Sequence, residues 1–287
     1  MPQNAGDVNL RDWIGREQVA EDTITTAPIA ALSATLDRDD LAPRDGDALP
    51  PLWHWLFFLS RTPMRDVGLD GHPTPGGFMP PVGPTRRMWA GSRLTFAHLP
   101  RVGEAVRRVS RVADVQEKSG ASGRLVFITV QHDLHTPRGL AISEAQDIVY
   151  RDAPTPDRAN ATPTAPQAAP PSAFSRVITP DPVLLFRYSA LTFNSHRIHY
   201  DRRYVTDVEG YSGLVVHGPL IATLLLDLLR REKPEALVQT FNFKAHRPLF
   251  DTAPFSIHGH ADSATSYRLW ALDDQRQLAM QASATIE

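Results

Sequence analysis

The segment from Ala153 to Ser172, APTPDRANATPTAPQAAPPS, holds six prolines and almost nothing that can join a core. Proline fixes φ and removes an N–H, so such a stretch reads as an extended, semi-rigid spacer. It cannot lie in the middle of a packed sheet. It divides the 287 residues into a first half, 1–152, and a second, 173–287, each long enough for its own core.

The halves echo each other in order. Ser33-Ala34 recurs as Ser189-Ala190; Pro51 opens PLWHWLFFL as Pro219 opens PLIATLLLDLL; and Ala97-His98-Leu99-Pro100 recurs as Ala245-His246-Arg247-Pro248. Three ordered matches suggest a duplication. Leu220, Ile221, Leu224, Leu225, Leu228 and Leu229 fall on one helical face, and Pro219 suits the first turn. PLWHWLFFL is read as the corresponding helix, with Trp53, Trp55, Phe57 and Phe58 as core. Strand-like runs follow in each half: RLTFAHL, AVRRVSRVADV, RLVFITVQHDL and AISEAQDIVYR, then QTFNFKAH, PFSIHGHA, YRLWALDD and LAMQASATI. The expected class is α+β, a helix laid on antiparallel sheet. Arg107-Arg108 through Arg111 reads as the solvent side of a strand. The Gly- and Pro-rich stretch from Gly68 to Pro84 can be neither helix nor central strand, and is a surface loop or a lid over a ligand.

The net charge of −2 gives no basic surface for nucleic acid, and no apolar run approaches the ~18 residues of a membrane span. The first residues, MPQNAGDVNLRDW, have neither the basic start nor the apolar core of a signal peptide. With no cysteine there is neither a disulfide nor a thiol nucleophile, which fits a reducing, cytoplasmic setting.

The chemistry concentrates in YSALTFNSHRIHYDRRY, Tyr188 to Tyr204, followed by GLVVHGPLIATLLLDLL. Asn194, His196, His199 and Asp201 fall within eight residues, and His217-Gly218 stands just ahead of a helix. A helix N-terminus offers free N–H groups to a developing oxyanion, and a histidine near it has the parts for proton transfer. His196, His199 and Asp201 are too loosely spaced for a metal site, and none is expected. Arg86 and Arg87 are a phosphate-binding pair or a solvated face; Lys244 and Arg247 contact a ligand's phosphates or cap strand ends. His217 either reaches a ligand or satisfies the backbone at the helix start.

These residues resemble the signature of the MaoC-like hot-dog hydratases and dehydratases. That signature is an acidic or amide residue, then a histidine and an aspartate in this register, with His-Gly opening the central helix. The match is closest to the branch with asparagine first. The resemblance extends to RRMWAGSRLTFAHLPRVGE, which reads like that branch's degenerate N-terminal hot-dog. It implies two fused hot-dog folds: a degenerate one over 1–152, the linker over 153–172 and the catalytic one over 173–287. It further implies a hydro-lyase acting on an α,β-unsaturated acyl-CoA, with His199 as acid–base, Asn194 positioning and the Gly218 N–H holding the thioester oxygen. No cofactor is implied, since CoA belongs to the substrate.

Where the wider family has proline, this chain has Arg197, a fork-shaped cation matched to a carboxylate. That favours a C5-dicarboxylyl-CoA, mesaconyl-C4-CoA or itaconyl-CoA, hydrated to citramalyl-CoA, with Arg197, Arg86 or Arg87 reading the carboxylate. The alternatives are a 3-hydroxyacyl-thioester dehydratase of fatty-acid metabolism and a non-catalytic acyl-CoA-binding hot-dog. A hot-dog thioesterase is disfavoured, since it needs a carboxylate or other activating group where this chain has Asn194. One chain can act alone as a pseudo-dimer, or two can pair as a homodimer.

Overall fold

A computed structural model describes residues 8–83, 86–120, 123–151 and 171–287. The proline-rich spacer lies outside them except for Pro171 and Ser172, both exposed. Among the described residues there are ten strands. The first five are β1 Glu17–Thr23, β2 Arg86–Phe96, β3 Ala105–Gly120, β4 Gly123–Thr136 and β5 Gly139–Arg151. The others are β6 Phe174–Ile178, β7 Val238–Ala245, β8 Phe255–Ala261, β9 Ser266–Leu272 and β10 Leu278–Ile286. The helices are α1 Thr26–Thr35, α2 Pro182–Thr192 and α3 Gly218–Glu232.

All ten strands form one antiparallel sheet in the order β1-β3-β4-β5-β2-β7-β10-β9-β8-β6. Outward from the central β2–β7 pair, the first half runs β2, β5, β4, β3, β1, and the second repeats it as β7, β10, β9, β8, β6. A duplicated unit joined edge to edge gives this order. Gly91 sits at the join opposite Lys244; a Cβ there would lie 2.3 Å from the Phe243 carbonyl, so only glycine lets the halves meet so closely.

Two of the sequence echoes fall on equivalent elements: Ser33 and Ser189 in α1 and α2, and Pro51 and Pro219 at the opening of the central segment. The third is one residue out of register. Ala97 and His98 donate to the Ala141 carbonyl, whereas in the second half His246 and Arg247 donate to Ala279. The eight expected strand runs all lie on strands, with β2 beginning earlier than its run; the short β1 and β6 were not anticipated.

The helix expected in PLWHWLFFL is a single 3-10 turn, Trp53–Leu56. Leu52 takes φ +70°, which a regular helix forbids, and the turn's polar atoms point to a buried carboxylate. Glu144 accepts from Trp55 Nε1 at 3.0 Å and from Ser92 Oγ at 2.7 Å, and lies 3.3 Å from His54 Nε2. Trp53, Phe57 and Phe58 are buried as expected, and Trp55 packs against the same core. Arg108 departs from the solvent-side expectation. Strand alternation turns it inward, over the Phe58 ring at 4.9 Å, onto a cavity of about 230 Å³ shared with Glu144, His54 and Trp89.

The second half keeps the full central helix. α3 buries every residue from Leu220 to Leu229, because β8, β9 and β10 wrap it. Each leucine so covered contributes about 1.5–3 kcal/mol. One buried residue is charged: Asp227, 4% exposed, takes Arg38 Nη1 at 2.6 Å and Arg231 Nε at 2.8 Å. Arg230 reaches Asp40, and Arg231 also donates to the Leu36 carbonyl at 2.8 Å. These bonds tie the end of α3 to the loop after α1, across the two halves.

Candidate active site

Asp181 opens α2, its side chain accepting the Leu184 N–H at 2.8 Å. Phe193 closes it in the left-handed region, φ +48°, and the Asn194 N–H bonds back to the Ser189 carbonyl at 2.8 Å. That closure turns the chain sharply. Asn194 Oδ1 then accepts the His196 N–H at 3.0 Å, leaving the amide nitrogen as the free donor. A 3-10 turn, Arg197–His199, delivers the histidine to the start of α3.

His199 is 8% exposed, and its Nδ1 lies 2.7 Å from the Val215 carbonyl. A carbonyl only accepts, so the proton sits on Nδ1 and Nε2 carries the lone pair. Nε2 is bonded to nothing among the described residues, yet it is not a sealed atom. The His217 ring stacks on His199 at 3.7 Å, and its Nε2 meets Ser189 Oγ at 2.8 Å. Beyond His217, Gly218 starts α3 and donates its N–H to no acceptor among the described residues. A Cβ on Gly218 would meet Trp89 O of the first half at 3.8 Å, so the helix start faces β2 across the join.

Burial dominates the electrostatics. It lowers His199 to about 4, opposed by the Val215 hydrogen bond. Burial, with His72 and His199 close by, lowers His196 to about 2, and burial with His199 and His196 puts His217 well below its ordinary value. At neutral pH the cluster is a set of uncharged imidazoles, the form in which a histidine can act as a base.

The Gly68–Pro84 stretch, described as far as Gly83, docks onto this motif. The Asp70 carbonyl accepts the Arg197 N–H at 2.8 Å, the Gly71 carbonyl accepts Ser195 Oγ at 2.6 Å, and the Leu69 carbonyl accepts Arg197 Nη1 at 3.1 Å. Gly71 has φ +91°, and a Cβ on it would fall 1.8 Å from the Ser195 carbonyl oxygen. Gly71→Ala should therefore cost on the order of 2 kcal/mol and undock the loop. Faster hydrogen exchange over residues 68–77, with lost turnover, is the expected result; unchanged exchange would remove the loop from the site.

The loop also brings side chains that sequence reasoning missed. Asp70 Oδ2 lies 3.1 Å from His72 Nδ1, and the His72 ring is 3.9 Å from that of His196, itself 5.4 Å from His199. The only signal in the sequence was Asp-Gly-His inside a segment read as a surface loop or a lid. Asp70, His72 and His196 place ligand-type atoms within 4.8 Å of one another, the one such group among the described residues. Asp70 already engages His72 there, so the set is organised as an imidazole–carboxylate pair.

Against known proteins, residues 52–251 match the family model for hydroxyacyl-thioester dehydratase type 2. The chain belongs to that family. It is 49% identical over 249 residues to a mesaconyl-C(4)-CoA hydratase of Chloroflexus aurantiacus, covering 85% of this chain and 86% of that one. It is 28% identical to the mitochondrial hydroxyacyl-thioester dehydratase type 2 of Schizosaccharomyces pombe, covering 83% and 88%. A Mycobacterium tuberculosis protein with a double hot-dog fold superimposes with TM-score 0.60 over 96% of this chain and 98% of that one, at 15% identity. The ten-stranded architecture is this double hot-dog.

Within this type 2 dehydratase fold the remaining expected site residues scatter. His217 is 0% exposed, so its side chain backs His199 and offers nothing to a substrate. Arg197 binds Asp201 at 2.7 Å and lies over the Tyr204 ring. Arg86 pairs with Glu209 at 2.9 Å. Arg247 pairs with Asp273 at 3.6 Å, and Lys244 stands on the face of β7 turned away from Phe243 and α3. Arg87 alone of the expected carboxylate readers has no ion pair or hydrogen bond among the described residues. Its charge acts on His72 and His196.

Proposed function

We propose that the chain adds water to an α,β-unsaturated acyl-CoA whose acyl group ends in a carboxylate. The best candidate is a C5-dicarboxylyl ester, mesaconyl-C4-CoA or itaconyl-CoA, giving citramalyl-CoA. The observation that carries this reading is the pairing of an uncharged His199 with an open Nε2 lone pair and the unengaged Gly218 N–H at the start of α3. The 49% identity to a mesaconyl-C(4)-CoA hydratase supports the substrate.

Water loses a proton to His199 Nε2 as its oxygen bonds to the β carbon. The π pair moves onto the thioester oxygen, where the Gly218 N–H and the helix dipole stabilise it. The proton then passes from His199 to the α carbon. Asn194 cannot take a proton and orients the water through its free amide nitrogen. No cofactor enters, and the single chain is the catalytic unit. A cytoplasmic setting belongs to the same proposal: the sequence holds no cysteine, and no described helix is long and apolar enough to cross a membrane.

Arg87 is the residue proposed to read the carboxylate. It shares a face of β2 with Trp89, whose carbonyl neighbours Gly218, and it stands opposite the buried Tyr150. Arg87→Met should raise KM for mesaconyl-C4-CoA by roughly thirtyfold, the loss of one charged hydrogen bond of about 2 kcal/mol. KM for crotonyl-CoA should hardly move. Equal losses on both would return Arg87 to the CoA moiety or to folding.

A further inference from the structure

The hydration proposed above leaves one role unfilled. Water attacking an enoyl thioester has two hydrogens and presents one lone pair; His199 accepts one hydrogen, and Asn194, with Oδ1 turned to the His196 N–H, offers a donor to the oxygen. The second hydrogen needs an acceptor. A carboxylate at position 194 would supply one, and this chain has an amide there.

The first half supplies a group of the right kind. Asp70 is ionised: burial pushes its carboxyl up, but the hydrogen bonds from the His72 side chain and N–H outweigh this and hold it at about 2. An ionised carboxylate only accepts, so the His72 proton sits on Nδ1 and the lone pair on Nε2. That nitrogen has no partner among the described residues and is not sealed. The pair reaches the cluster around His199, since His72 packs on His196 and its charge would act on His199 directly. Nor is the imidazole needed to hold the loop down. Docking is carried by the carbonyls of Leu69, Asp70 and Gly71.

We propose that the Asp70–His72 pair is a second catalytic element, in which His72 Nε2 accepts the hydrogen of the attacking water that His199 does not take. The balance of the reaction is unchanged. One O–H bond breaks toward His199, the C–O bond forms, and the proton returns to the α carbon; the other O–H bond stays intact, held by His72. One half of the duplicated fold thus provides the base and the other the second acceptor.

Asp70→Asn is the sharp test, resting on the hydrolyase reading for its kinetic arm. The His72 N–H, 3.0 Å from Oδ1, keeps the amide oxygen, so the new NH2 faces His72 Nδ1. The imidazole proton is then forced onto Nε2, and the acceptor is lost. We expect kcat to fall roughly 10²-fold with KM within about twofold. His72→Leu should fall as far, and His72→Gln, which keeps an accepting oxygen, should recover part of the loss. Imidazole 15N NMR reads the tautomer whatever the substrate: Nδ1–H in the unmutated protein and Nε2–H in Asp70→Asn are the expected states. Turnover in Asp70→Asn and His72→Leu within about twofold of the unmutated enzyme would overturn the proposal. So would Gln no better than Leu, or an Nε2–H tautomer in the unmutated protein. An unmutated protein that hydrates no enoyl-CoA would sink the hydratase reading instead, while the NMR result would still decide the pair.

Discussion

His199→Ala should lower kcat roughly 10²–10⁴-fold, the usual worth of general acid–base catalysis, with the fold retained. The expectation rests on a single lone pair. Nδ1 is committed to the Val215 carbonyl, His217 is buried and stacked behind the ring, and Nε2 alone opens to a substrate. The base works only when neutral, and its value near 4 sets the sign of the pH dependence. kcat/KM should stay level from neutral pH down to about 5 and fall as pH drops through about 4. Stability moves in the same direction. His196, His199 and His217 titrate below 6.5 when folded, so below that pH the unfolded chain binds protons that the folded chain refuses. Each then costs up to about 1.4 kcal/mol per pH unit, and nothing above pH 7. Melting curves recorded beside the rate profile separate the two. A His199→Ala protein that is folded and nearly as active removes the residue from the mechanism.

The second large effect concerns the join between the halves. Asp227→Ala should destabilise the protein by about 3–5 kcal/mol, a drop in Tm on the order of 10 °C. Asp227 is the buried anion for Arg38, at 11% side-chain exposure, and for the half-buried Arg231 and Arg176. Removing it leaves Arg38 with Asp40 alone and takes the carboxylate from Arg231 and Arg176, and a buried charge short of partners costs more than its lost attraction. Burial alone would lower the Arg38 value, but its bonds to Asp40 and Asp227 reverse that and raise it, so the cation persists at every ordinary pH. Leucine in place of Asp227 fills the volume but restores none of its bonds to the arginines, and should be no better than alanine. A Tm unchanged in both variants would mean that water or Asp40 satisfies the arginines.

The parts of this molecule that one stretch of chain determines were readable in advance. Asn194, His199 and Gly218 lie within 25 residues, on a closed helix end, a 3-10 turn and a new helix start that the sequence pattern already marks. Arg197 misled because the sequence shows its charge and not its choice of partner: Asp201, four residues on, was near enough to pair with it. Arg86 likewise found Glu209, more than a hundred residues away, which left Arg87 as the expected carboxylate reader with no ion pair among the described residues. Asp70 and His72 were illegible for a stronger reason. Their place beside His196 depends on a loop docking to residues over 120 positions away through backbone bonds, which carry no side-chain signal. In PLWHWLFFL the apolar count suggested a helix, but Glu144 needed the Trp55 and His54 nitrogens, and that demand bent the segment into one turn.

The most direct test of the central claim is the loss of enoyl-thioester ultraviolet absorbance across a panel of CoA esters incubated with the purified protein. Mesaconyl-C4-CoA or itaconyl-CoA should lose its chromophore as citramalyl-CoA forms, with kcat/KM well above that for crotonyl-CoA. Faster turnover of crotonyl-CoA, or no loss of absorbance with any ester, would contradict the account.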